Sequence, residues 1–159
     1  KINSHLVFNL YLAITALSFF LFLLLLITEE ISLYYLLFVI AIIWLFDTFS
    51  YIGGKIIGGI KLMPKISSGK TISGFITGVL MTLLVIEFII YYFGIKYKFS
   101  FYFTLFIITL SFVGDTVVSM LKRYASIKDS GNIMPGHGGL LDRFDSFIFV
   151  FLIFGLSSL

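Results

Sequence analysis

From Leu6 to Ile27 the chain carries no charged side chain, and the same is true from Ile31 to Phe46, from Phe99 to Gly114 and from Ser146 to Leu159. A further apolar run, Gly74 to Phe93, holds a single acid, Glu87. A helix crosses the hydrocarbon core of a bilayer with about 20 such residues. At 60% hydrophobic and 12% charged residues, with a mean hydropathy of +1.12, the chain lies outside the range of soluble domains, which are roughly half apolar. The expected fold is an all-α polytopic membrane protein of about five transmembrane helices, with two polar cytoplasmic loops forming its site. No low-complexity linker divides it, so residues 1–159 read as a single transmembrane domain. The first run is too long for a signal peptide and lacks a small-residue cleavage site. The second, fourth and fifth runs are short. The second and fourth gain length if their helices continue through 47–52 and 115–121, and such polar helical extensions suit a water-filled cavity reaching into the membrane. The absence of cysteine excludes disulfides and thiolate metal sites. Because the chain begins at Lys1, it is expected to be a fragment or a processed chain.

Basic residues set the expected topology. With the loops at 47–73 and 115–145 on the side of the N-terminus, that side holds Lys1, Lys55, Lys61, Lys65, Lys70, Lys122, Arg123, Lys128 and Arg143. The other side holds Lys96 and Lys98 with Glu29 and Glu30. The positive-inside rule makes the richer side cytoplasmic. Basic loops of this kind can simply orient a protein and touch anionic lipid. The acids and glycines among them suggest more.

Asp115, Asp129, Asp142 and Asp145 all lie in or beside the second polar loop. If the fourth helix continues, Ser111, Asp115, Ser119 and Lys122 share one face. Asp142 and Asp145 share a face at the head of the last span. A carboxylate at a membrane boundary is costly unless it is paired or bound to a cation. Acids converging from two helix ends suit a hard cation such as Mg²⁺, or two cations. N-terminal capping is the simpler account of Asp142 and Asp145, but it leaves Asp115 unexplained. Asp47 is either a snorkelling boundary residue or a member of the same site.

The turn "PGHGG", with Gly136, Gly138 and Gly139, can point backbone N–H groups at an anion and feeds a helix N-terminus. His137 there is either a phosphate neighbour or a hydrogen-bonded structural residue. Lys122, Arg123, Lys128 and Arg143 interleave with the acids, a composition that can hold a polyphosphate. In the first loop "SSGKT" lacks the leading glycine and the strand of a P-loop. Its Ser67, Ser68, Lys70 and Thr71 remain donors suited to phosphate oxygens, or simply a solvated loop. Glu87 is expected to make a helix-to-helix hydrogen bond.

The stretch "SMLKRYASIKDSGNIMPGHGGLLDRFDS", Ser119 to Ser146, closely resembles the signature of bacterial phosphatidate cytidylyltransferases, the CDP-diacylglycerol synthases. Ser119, Lys122, Arg123, Lys128, Asp129, Pro135, His137, Gly138, Gly139, Asp142, Arg143 and Asp145 fall in register with it. Asp47, Tyr51, Gly54, Lys55 and Gly58 resemble a second family pattern, and Ser67, Lys70, Thr71 and Gly74 a third. Two departures occur in the third: Ser68 stands for the usual proline and Ser73 for the usual glutamate. The chain is expected to correspond to the C-terminal, catalytic part of such enzymes, whose extra upstream spans it lacks.

The resemblance implies transfer of a cytidylyl group from CTP to phosphatidic acid, giving CDP-diacylglycerol and pyrophosphate in phospholipid biosynthesis at the bacterial inner (plasma) membrane. Asp115, Asp142 and Asp145 would hold Mg²⁺. Lys122, Arg123, Lys128 and Arg143 would neutralise phosphates, with Asp129 and His137 beside them. Asp47, Ser67, Lys70, Thr71, Ser119, Gly138 and Gly139 would bind substrate. No nucleic-acid partner is expected, and a homodimer is a family-level expectation. Alternatives are a CTP-dependent enzyme of the CDP-archaeol synthase type acting on another lipid, or a non-catalytic membrane subunit. A transporter is disfavoured because its ionisable residues should lie at the bilayer midplane.

Overall fold

The computed structural model describes residues 4–27, 33–64, 66–94, 100–127 and 145–157. In chain order these form α1 (Ser4–Ile27), α2 (Leu33–Ile57), β1 (Lys61–Met63), β2 (Ser67–Thr71), α3 (Ile72–Phe93), α4 (Ser100–Tyr124) and α5 (Asp145–Ser157). The first four helices are long and apolar enough to cross a membrane, over Leu6–Leu24, Leu33–Ile57, Ile72–Phe93 and Phe101–Tyr124. This is an integral membrane protein built from helices. α5 extends for 13 residues, about 20 Å at the helical rise. The second and fourth helices do run on beyond the apolar stretches. Asp47 and Asp115 therefore lie inside α2 and α4 rather than at their ends. One element departs from the all-α expectation: a two-stranded antiparallel hairpin, β1 against β2, stands where the sequence suggested a plain loop.

The chain divides into two compact units, one formed by Lys1–Tyr35 with Leu110–Leu159 and the other by Leu36–Thr109. In the first unit, α1 and α5 run parallel. Tyr11 meets Asp145, Ser18 Oγ donates to the Ile148 carbonyl at 3.0 Å, and the Phe22 and Phe151 rings lie 4.4 Å apart. The C-terminal part of α4 packs antiparallel to α5. Tyr11, Val118 and Ile148 form the buried centre, flanked by Phe8, Ile14, Leu121 and Phe149. Helices in lipid associate through close packing and hydrogen bonds rather than through a hydrophobic drive between them. Gly114 supplies such a close approach, since a Cβ there would sit 3.0 Å from that of Phe149.

In the second unit, small residues let α2 and α3 cross closely. Gly74 and Gly78, four apart on α3, face Ser50 and Gly54 on α2, and Gly53 of α2 faces Thr77. A Cβ on Gly74 would lie 2.5 Å from the Ser50 carbonyl oxygen, and one on Gly78 2.0 Å from Ser50 Oγ. α2 ends at Gly58, whose N–H donates to the Gly54 carbonyl at 3.1 Å. Gly58 and Gly59 both take positive φ, of 65° and 101°, which glycine adopts without steric cost. The chain then turns through the hairpin, where Ile66 N–H donates to the Met63 carbonyl at 3.1 Å past Pro64. Thr71 closes β2 and caps α3.

Candidate active site

The polar centre of the first unit is built where α1, α4 and α5 meet. α4 carries Lys122 and Arg123 in its last turn, and α5 carries Asp145 in its first. Each placement complements the helix dipole. The Lys122 ammonium pairs with Asp145 Oδ2. Both residues are buried, at 5% and 6% exposure. The Tyr11 hydroxyl, from α1, donates to Asp145 Oδ1 at 3.5 Å, and the Lys122 Nζ stands 5.5 Å from the centre of the Tyr11 ring. A buried ion pair tolerates its surroundings only when further polar groups meet its remaining donors and acceptors. The tyrosine meets both members of the pair, one with its ring and the other with its hydroxyl.

The end of α4 is shaped to keep Lys122 at this place. Ile127 N–H donates to the Lys122 carbonyl and Ser126 N–H to the Arg123 carbonyl, both at 3.0 Å, with Ser126 at φ 62°. This is a Schellman cap with serine in the left-handed position that glycine usually takes. Arg123 turns outward, and its Nη1 donates to the Ile127 carbonyl at 3.0 Å. Further back along α4, Ser119 Oγ donates to Asp115 Oδ1 at 3.4 Å. The shared face of Asp115, Ser119 and Lys122 inferred from spacing is therefore present. Ser111, one turn before Asp115, is fully buried, and its hydroxyl has no hydrogen-bond partner among the described residues.

In the second unit the hairpin presents Ser68 and Gly69 to solvent, with Ser67, Lys70 and Thr71 half-buried. Thr71 Oγ1 accepts from Gly74 N–H at 3.1 Å, which makes it the N-cap of α3. Ser73 donates its single proton to the Gly58 carbonyl. The 3.1 Å contact between the Thr71 and Ser73 hydroxyls must then be donated by Thr71. The proton of Thr71 is thus used inside the cap. Ser73 holds the start of α3 to the end of α2 from the position where the family pattern has glutamate. Asp47 is half-buried in α2, and Glu87 half-buried in α3.

Of the residues expected to form one site, the structure brings Lys122 and Asp145 together, and Asp115 with Ser119. Lys128, Asp129, His137, Gly138, Gly139, Asp142 and Arg143 lie outside the described residues. Among the described residues no group of three or more His, Cys, Asp or Glu side chains comes together. Asp115 and Asp145 are all-oxygen donors, and each ionised carboxylate can accept about four hydrogen bonds or ligand contacts. That donor chemistry fits a hard cation such as Mg²⁺. Tyr11 was missed from the sequence. Its only signal was a hydroxyl-tipped aromatic within an apolar span, which interface tyrosines share.

Four helices long and apolar enough to cross a membrane, with a buried acid–base cluster where the end of α4 and the start of α5 meet α1, define a polytopic membrane protein with charged chemistry inside its first unit. Residues 1–157 match the cytidylyltransferase family, and the chain belongs to that family. It is 43% identical over 125 residues to the phosphatidate cytidylyltransferase of Staphylococcus saprophyticus, covering 77% of this chain and 48% of the relative. The corresponding protein of Staphylococcus aureus is 45% identical over 125 residues, with the same coverage of 77% and 48%. That of Bacillus subtilis is 42% identical over 133 residues, covering 81% of this chain and 49% of the relative. The chain thus spans about half the length of the curated relatives it matches.

Proposed function

We propose that this chain carries a cytidylyl-transfer site, joining CTP to phosphatidic acid to give CDP-diacylglycerol and pyrophosphate. The observation that carries the proposal is the buried Lys122–Asp145 pair, because its two members come from near the opposite ends of the motif that resembles phosphatidate cytidylyltransferases. An oxygen of the lipid phosphate attacks the α-phosphorus of CTP, a new P–O bond forms, and the bond to the β-phosphate breaks to release pyrophosphate. The attacking oxygen is already anionic, so no strong base is required. The barrier lies in bringing two anions together, and positioning with electrostatic stabilisation lowers it.

Lys122, held at the helix end, and exposed Arg123 supply positive charge for phosphates, with Lys128 and Arg143 from the intervening segment. Asp129, His137, Gly138 and Gly139 belong to the same motif. Mg²⁺, held by Asp115, Asp142 and Asp145, would neutralise triphosphate charge when bound. Ser119 orients Asp115 through its hydroxyl. The resemblance assigns Asp47, Ser67, Lys70 and Thr71 to substrate binding, and Thr71 also caps α3. The site faces the cytoplasm of the bacterial inner membrane in this reading, in keeping with the basic residues on that side, and the protein pairs as a homodimer.

The test is pyrophosphate release by the purified chain in lipid nanodiscs. Release should require CTP, phosphatidic acid and Mg²⁺ together, and Asp142→Asn should abolish it while leaving the thermal unfolding curve in place. No release under these conditions favours a non-catalytic subunit. Release with an isoprenoid-ether phosphate but not with phosphatidic acid favours the archaeol-type reading.

A further inference from the structure

Tyr11 lies in α1, far upstream of the acidic and basic motif, yet it touches both charged members of the cluster. It is 1% exposed. It packs with Val118 and Ile148 in the buried centre of the first unit, with the Phe8 ring 6.3 Å away. From that fixed place the ring face receives the Lys122 ammonium and the hydroxyl reaches Asp145 Oδ1. Lysine has a flexible four-carbon stem and a compact charge. A rigid aromatic wall beneath the ammonium therefore restricts where that charge can stand, and a hydroxyl on the carboxylate restricts how that group can rotate.

We propose that Tyr11 is a positioning residue for cytidylyl transfer, acting through Lys122 and Asp145. The proposal rests on the functional reading above. Outer-shell groups that orient charged or metal-binding side chains commonly matter to activity almost as much as the side chains they hold. The two handles separate by substitution, since Tyr11→Phe keeps the ring and loses the hydroxyl, whereas Tyr11→Leu loses both.

The experiment uses the purified full chain in nanodiscs and two readouts. Thermal unfolding is followed through two double-mutant cycles, Tyr11→Phe with Asp145→Asn and Tyr11→Leu with Lys122→Met. Non-additive shifts in both cycles are expected, and additive shifts overturn the proposal. Steady-state kinetics should show kcat lowered about 10-fold by Tyr11→Phe and about 100-fold by Tyr11→Leu, with KM for CTP changed less than about twofold. A lowered melting temperature with kcat unchanged makes Tyr11 a purely structural residue and likewise overturns the proposal. If the wild-type chain releases no pyrophosphate, the functional reading fails and the catalytic role fails with it. The unfolding cycles then still decide separately whether Tyr11 holds the pair.

Discussion

Replacing Lys122 with methionine should cost the first unit far more than an ordinary lipid-facing substitution, and replacing Asp145 as well should recover much of the loss. Lys122 and Asp145 are 5% and 6% exposed, so solvent cannot take over from a missing partner. Lys122→Met strands a carboxylate beside a tyrosine hydroxyl at 3.5 Å, and Asp145→Asn strands an ammonium over a tyrosine ring. Breaking one side of a buried pair costs about 3–5 kcal/mol. An upper bound follows because the stranded group can neutralise itself, which at neutral pH costs about 4 kcal/mol for an ordinary carboxylate and about 5 kcal/mol for an ordinary ammonium. The double variant Lys122→Met/Asp145→Asn removes both charges of the pair and should lie within about 1–2 kcal/mol of wild type. The coupling read from the cycle is then about 4 kcal/mol or more. For a chain of this length each kcal/mol moves the melting temperature by about 2–4 °C. Circular-dichroism melts in one detergent should therefore show single variants lowered by roughly 6–20 °C and the double variant largely restored. Single variants that melt within about 2 °C of wild type, or shifts that simply add, would refute the buried pair.

Gly74→Ala should be strongly destabilising, by about 3 kcal/mol or more, because its new Cβ meets backbone at the Ser50 carbonyl oxygen, 2.5 Å away, and at Gly54 Cα, 3.1 Å away. Gly69→Ala, with nothing within 4 Å, is the matched control and should change the melt by less than about 0.5 kcal/mol. Ser126→Gly should stabilise by about 0.5–1 kcal/mol, since the left-handed φ of 62° penalises a side chain and glycine's extra unfolded-state entropy offsets part of the gain. A lower melting temperature in that variant would argue against the Schellman cap. Thr71→Val should cost about 1 kcal/mol by removing the oxygen that caps α3, and Thr71→Ser should restore most of it in the same melt.

Much of the helical frame was legible because membrane helices announce themselves by uninterrupted apolar length, and this chain's runs needed no arbitration between periods. The continuation of α2 through Asp47 and of α4 through Asp115 was also readable, since both extensions keep a mixed apolar pattern. The face shared by Asp115, Ser119 and Lys122 followed from spacing alone, and the 3.4 Å bond between Ser119 and Asp115 agrees with it. The hairpin was not legible. β1 and β2 are 3 and 5 residues long, too short to show alternation, and their pairing depends on the glycine turn at Gly58 and Gly59 and on the cap at Thr71.

Local chemistry in the sequence settled the solvent this protein lives in, the number and rough extent of its helices, and which charged residues lie near one another along the chain. Those properties depend on neighbours within a few residues or on summed transfer free energy. Only the tertiary structure decided that Asp145 meets Lys122 across 23 positions, that Tyr11 reaches the same carboxylate across 134, and that Ser73 holds the Gly58 carbonyl. Such pairings arise when separate helices pack, and no periodicity along one segment encodes which residue of another segment will face it.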